Sequence, residues 1–186
     1  MVAFDSQRLG HALIVQSRRD EAAAVLEHCA EIETRIVHEQ LVGEGKDPGT
    51  KQIISMSLPD IHFCRERWLE ARPLYEEKVS HWEKCVTRPD NIDLGHLQLR
   101  LAACQSNTGD PSAAIGTCRR AVSTFEREWS ARHPKVAVAQ AALAQLLARE
   151  QRLQEAAEAA RAAQTIFAEK QIPDHREAPL LAPLLS

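Results

Sequence analysis

The sequence predicts an all-α fold, an α-solenoid of about four helix pairs followed by a C-terminal capping segment. Three observations carry that expectation. One short pattern returns with spacings of 49, 43 and 42 residues along the 186-residue chain. Hydrophobic residues make up 44% of the chain and aromatics only 4%, and the apolar content is mainly Ala and Leu, strong helix formers with little β preference. Gly and Pro fall between the periodic segments, where they punctuate helices rather than interrupt them. A chain that repeats one helix-turn-helix unit buries its core by stacking neighbours, which makes binding its default function.

The repeat is anchored on an alanine that follows a tight turn: Ala22, Ala71, Ala114 and Ala156. A leucine stands thirteen residues earlier in every copy, at Leu9, Leu58, Leu101 and Leu143. Eleven residues after the alanine comes a large ring in three copies, Trp82, Phe125 and Phe167, while the first copy has Glu33 beside Ile32. A small alanine suits this place because the two helices of a pair must approach closely there.

The copies span residues of approximately 4–38, 52–88, 94–132 and 136–172, within one domain over 1–186. After the first copy, Leu41-Val-Gly-Glu-Gly-Lys-Asp-Pro-Gly-Thr50 accounts for the longer first spacing and reads as a surface insertion. Its Gly45-Lys46 does not make a phosphate-binding loop, because Gln40 and Asp47 stand where that loop needs Gly and Ser or Thr. In the second copy, Pro59 falls inside the first helix. Either that helix kinks, or a new helix starts at Leu58-Pro59 with Pro in its first turn. The third copy turns at Gly109-Asp-Pro, a helix stop followed by a helix start. In the fourth, the apolar spacing predicts helices over about 136–149 and 153–170. The cap, 176–186, is apolar, and could begin a fifth first helix, cover the fourth pair or dock on another copy.

Glu70-Ala-Arg-Pro-Leu-Tyr-Glu76, Trp82-Glu-Lys84 and His133-Pro-Lys-Val-Ala137 resemble tetratricopeptide repeats (TPRs), in particular the long variety of kinesin light chains, over about residues 7–178. The resemblance implies a right-handed superhelix whose concave face is lined by the first helix of each pair. It places Phe4, Gln7, His11, Ile14 and Val15 there in copy one, and Ile53, Met56, Asp60, Phe63 and Cys64 in copy two. Copy three gives His96, Leu99, Ala103, Ser106 and Asn107, and copy four Val138, Ala141, Gln145, Ala148 and Arg149. The first two sets are the more apolar, which suggests that something covers them. Kinesin-light-chain repeats commonly carry an Asn one residue before the leucine; here that place holds Arg8, Ser57, Arg100 and Ala142. Arg8 and Arg100 offer a donor fork for a carboxylate in its stead. The expected partner-binding groove is therefore His11, Ile14, Val15, Ile53, Met56, Asp60, Phe63, Arg100 and Asn107.

Other chemistry is poorly supported. The five cysteines are odd in number and form no Cys-x-x-Cys pair, so they read as reduced thiols. His62, Cys64, His81 and Cys85 are the nearest approach to a metal set, but residues two apart on a helix point in opposed directions. No Gly-x-Ser-x-Gly or His-Glu-x-x-His is present. Net charge is −3 without a basic stripe, which argues against nucleic acid, and no long apolar run suggests a membrane span. The expectation is a cytoplasmic, non-catalytic scaffold or adaptor without cofactor or metal, holding a peptide or helix of a protein partner. The alternatives are self-association, as a homodimer through the groove or the C-terminal segment, and a chaperone for secreted proteins.

Overall fold

A computed structural model of the chain describes residues 9–10, 12–14, 16, 18–43, 57–84, 92–171 and 181–184. The described residues are helical and contain no strand. The elements are α1 (Arg19–Gly43), α2 (Leu58–Cys64), α3 (Trp68–Lys84), α4 (Ile92–Asn107), α5 (Pro111–Glu128), α6 (Pro134–Arg149) and α7 (Leu153–Glu169), then a 3-10 turn over Ala182–Leu184. Residues 9–10 and 12–14 are also helical. Two compact units make up the chain, Met1–Leu74 and Tyr75–Ser186.

One turn geometry recurs at one register in every pair. Where each first helix ends, a backbone N–H reaches back five residues at 2.9 Å: Arg18 to Leu13, Arg67 to His62, Asp110 to Gln105 and Arg152 to Leu147. That bond is the signature of a Schellman helix end, which needs a left-handed residue just before the donor. Glu66, Gly109 and Gln151 supply it, with φ of 56°, 81° and 59°. Four residues on, the N–H of each register alanine donates to the same turn residue's carbonyl, so each second helix starts in phase. All four alanines are buried.

Within the first unit, α1 and α2 pack together around Leu13, Ala22, Ala23, Leu26, Ile61 and Cys64. Gly10, in the helical stretch before α1, permits that stretch to lie close on α1, since a Cβ there would sit 2.6 Å from the Leu26 side chain. Pro59 starts a helix rather than kinking one, because α2 begins at Leu58 with Pro in its first turn. Helix α2 is seven residues long, less than half the length of α1 or of any of α3 to α7. The expected insertion at 41–50 begins later than the sequence suggested, for α1 continues to Gly43; its remainder lies outside the described residues.

The second unit packs α4 on α5, α5 on α6 and α6 on α7, and the first helices α4 and α6 also touch. The starts of α5 and α6 are capped. Asp110 Oδ1 accepts the Ala113 N–H at 3.2 Å, and Pro111 and Pro134 occupy first-turn positions where no N–H is needed. Alanines at 137, 139, 141 and 144 of α6 face alanines and rings of α7 in one buried cluster with Phe125, Leu147 and Phe167. Gly95 lets α4 lie on the Phe125 ring, where a Cβ would stand 2.5 Å from Cε1. A buried polar rung is satisfied internally: Thr124 Oγ1 donates to Gln98 Oε1 at 3.0 Å, and Gln98 Nε2 donates to Glu83 at 3.2 Å. Leu181 is buried in this cluster and the Ala182–Leu184 turn lies on α7, so residues 181–184 pack on the fourth pair; the rest of the expected cap lies outside the described residues. The fourth pair falls where its spacing predicted, at Pro134–Arg149 and Leu153–Glu169.

Candidate protein-interaction face

In the second unit the first helices α4 and α6 carry a stripe of half-buried and exposed residues, whose apolar members Leu99, Val138 and Ala142 pack their inner sides against the core cluster. On α4 it runs through His96, Leu99, Ala103 and Ser106, half-buried, to exposed Asn107. On α6 it runs through Lys135, Val138, Ala142 and Gln145, half-buried, to exposed Arg149. The steps of three and four residues are those of one helical face. The stripe is apolar or small in the middle and carries polar groups at its ends. His96 packs edge-on to Phe125, with ring centroids 5.1 Å apart. Asn107 uses its Nδ2 to donate to the Ala103 carbonyl at 2.8 Å, closing the last turn of α4.

The second helices present a different surface. On α7 the exposed residues past the first turn, Ala168 apart, are polar, among them Glu158, Arg161, Gln164 and Thr165. Arg119 of α5 donates to Glu155 of α7 at 2.6 Å, and Arg152 to the same carboxylate at 2.8 Å. Those guanidiniums, Arg152 first, hold the Glu155 carboxyl below the usual carboxylate range. Arg120 pairs with Glu83 at 2.8 Å. Such a surface is already satisfied by water and by its own ion pairs.

The predicted groove residues divide. All five expected on α4 are half-buried or exposed, as their register requires. On α6, Val138, Gln145 and Ala148 are half-buried and Arg149 exposed, as expected, and only Ala141 departs, being buried while its neighbour Ala142 is half-buried. Arg100 is buried, at 9% exposure, and so is not a solvent-facing donor fork. The second copy departs most. Asp60, Phe63 and Cys64, expected to face solvent, are 1%, 7% and 4% exposed. The helix that carries them is too short to continue the expected stripe, and Phe63 lies edge-on to Trp68 with centroids 5.3 Å apart and Arg19 5.6 Å above its ring. Ile14 is half-buried beside the first-unit core. His11, Val15, Ile53 and Met56 lie outside the described residues.

Among the described residues, no group of three or more His, Cys, Asp or Glu is placed to hold a metal ion. His62 is pushed below its ordinary value by burial and by Arg67, with Glu70 opposing. Cys118 is buried against the Ala139 carbonyl, 3.6 Å from its Sγ, and burial pushes its thiol up to about 12, which leaves it an inert core residue. No helix among the described residues is long and apolar enough to cross a membrane.

No protein-family model and no curated protein matches the chain. Solved structures do. The TPR-like repeats of a Podosopora anserina protein described as a kinesin light chain superpose with a TM-score of 0.63 and 18% identity, covering 97% of this chain and 82% of that one. A single-substitution variant of the same repeats superposes equally well. BtubC (BKLC) from P. vanneervenii gives a TM-score of 0.62 and 17% identity, over 98% of this chain and 80% of that one. This chain has a TPR-like repeat fold. The TPR-like register explains why the same buried alanine, the same left-handed turn and the same helix start return in successive pairs. Sequence reasoning missed Lys135 on the face. Ala142 occupies the place before the register leucine that Arg100 holds in the preceding pair, and it is half-buried where Arg100 is buried.

Proposed function

We propose that the chain is a protein-interaction scaffold and that the α4–α6 stripe holds a peptide segment or helix of a protein partner. One observation carries the reading: the two faces of the second unit are unlike. The second helices present charged side chains paired among themselves, Arg119 with Glu155 and Arg120 with Glu83. The first helices present Leu99, Ala103, Val138 and Ala142, flanked by Asn107, Gln145 and Arg149. An apolar centre with a polar margin is the composition of a face that gains from being covered. Helix-in-groove recognition uses anchors at the same three- and four-residue steps.

The reading moves the expected centre of binding from the first two copies to the third and fourth. Asp60 and Phe63 are withdrawn into the protein, while Asn107 and its neighbours stay at the surface. Affinity purification from the native host, read by mass spectrometry, tests it. A Leu99→Gln, Val138→Gln double variant is expected to lose the partner that wild type recovers, and an Arg161→Glu variant on the opposite face to keep it. Circular dichroism checks that both remain helical. Equal recovery by a folded double variant sinks the proposal. Light scattering over a concentration series separates a foreign partner from a second copy of the chain.

A further inference from the structure

The turn between α5 and α6 carries a cluster that the interaction face does not use. His133 is the N-cap of α6, with φ −84° and ψ 142°, and its Nδ1 accepts the Lys135 N–H at 3.2 Å. An imidazole nitrogen accepts only while it carries no proton. The ring stacks on the Trp129 indole, with centroids 4.5 Å apart and planes 18° apart. Lys135 Nζ stands 5.0 Å from the centroid of the same indole. The charges acting on the imidazole from the flanking elements are both cationic: Lys135 on α6 and Lys170 just past the end of α7. From the α5 side it meets the uncharged Trp129 ring, and Arg132 of the same turn is matched by Glu169 of α7 at 3.6 Å. The positive end of the α6 dipole adds to the cost of a cation at this place.

We propose that His133 is an acid-sensitive latch on α6. Protonation at Nδ1 turns the capping acceptor into a donor that faces the Lys135 N–H. The ring then leaves the cap, and the first turn of α6 loosens. That turn carries Lys135 and leads into Val138, so the latch sets whether the upper part of the α6 stripe is ordered. The latch itself stands or falls without any partner for the stripe. Burial first, then Lys135 and Lys170, hold His133 below the ordinary histidine value of 6.5. A lowered folded-state value means that the neutral cap contributes its full stability above pH 6.5 and loses it as pH falls through the folded value.

Amide hydrogen exchange on the full chain, expressed as protection factors and followed downward in pH, tests this. In wild type the Lys135 and Val136 amides are expected to lose protection about fivefold below the ordinary histidine value, which corresponds to one lost cap. His133→Asn keeps a side-chain acceptor that does not titrate, so its protection is expected to stay flat with pH. His133→Ala is expected to be low at every pH. Lys170→Gln removes one of the two cations and is expected to raise the wild-type midpoint, a readout that does not depend on altering the histidine. A His133→Asn chain that loses protection at the wild-type midpoint overturns the latch, as does a wild type that stays flat, or a Lys170→Gln midpoint that does not rise.

Discussion

In the second unit Leu101 and Leu143 are 2% and 7% exposed and the rings of the last two copies, Phe125 and Phe167, 0% and 2%, while the ring of the second copy, Trp82, is half-buried. In the first unit the same leucine place is Leu9, 52% exposed, and Leu58, half-buried. Yet the register alanine is equally buried in both, and the turn bond that precedes it is 2.9 Å in every copy. The turn and the alanine are thus what define a pair, and the amount of apolar filling around them is free to vary. Among the described residues of the first unit, surface groups take part as well. Arg19 lies over both Phe63 and Trp68, and Arg65 reaches Glu27 at 3.1 Å.

The largest way to break the contrast is to empty the second unit's core. Phe125 is fully buried, and Phe125→Ala removes a ring that α4, through Gly95, is shaped to cover. A loss of about 3–5 kcal/mol is expected in denaturant unfolding, because the transfer loss and the cavity add. Gly95→Ala attacks the same contact from the other side. Its methyl would enter the Phe125 ring, which is itself wedged in the core, so about 1–3 kcal/mol of overpacking is expected. An unchanged stability in Gly95→Ala would mean that the α4–α5 approach is looser than its geometry.

The left-handed turns give a smaller and sharper comparison, since one position is glycine and two are not. Gly109→Ala forces a Cβ into φ 81°, and a loss of about 1 kcal/mol is expected, from conformation alone, because nothing lies within 4 Å of the added carbon. Gln151→Gly at φ 59° relieves the same strain and is expected to raise the melting temperature of the second unit by a few degrees. If both changes move stability in the same direction, the left-handed turn is not what they report.

How much of this was legible beforehand differs by residue for physical reasons. The alanine register was visible because close helix contact leaves room for nothing larger. Only Gly109 announced a left-handed turn, since Glu66 and Gln151 adopt that conformation without a sequence sign of it. Pro59 limited the second copy to two alternatives, and the helix start it chose shortened α2 to seven residues. Asp60, Phe63 and Cys64 on that short helix are buried, which a repeat register carried over from longer helices could not reveal. On α6, Ala141 and Ala142 are chemically identical, and only the neighbours' packing decides which one turns outward.

The smallest effect belongs to the first unit's ion pairs. Arg65 chelates the Glu27 carboxylate with Nε and Nη2 at 3.1–3.2 Å, joining the turn after α2 to α1, and Arg19 reaches Glu66 at 2.7 Å. Both pairs are substantially exposed, so each is screened by water and by salt. Arg65→Gln is expected to cost no more than about 1 kcal/mol at low ionic strength, and the difference from wild type is expected to shrink as salt is added. Hydrogen exchange of α1 and of α7, read in the same sample, locates the loss. A salt-independent loss, or one felt equally in α7, would show that Arg65 acts by packing its stem rather than by charge. In that event the two units would differ in how much apolar surface they fill, and not in what kind of interaction fills it.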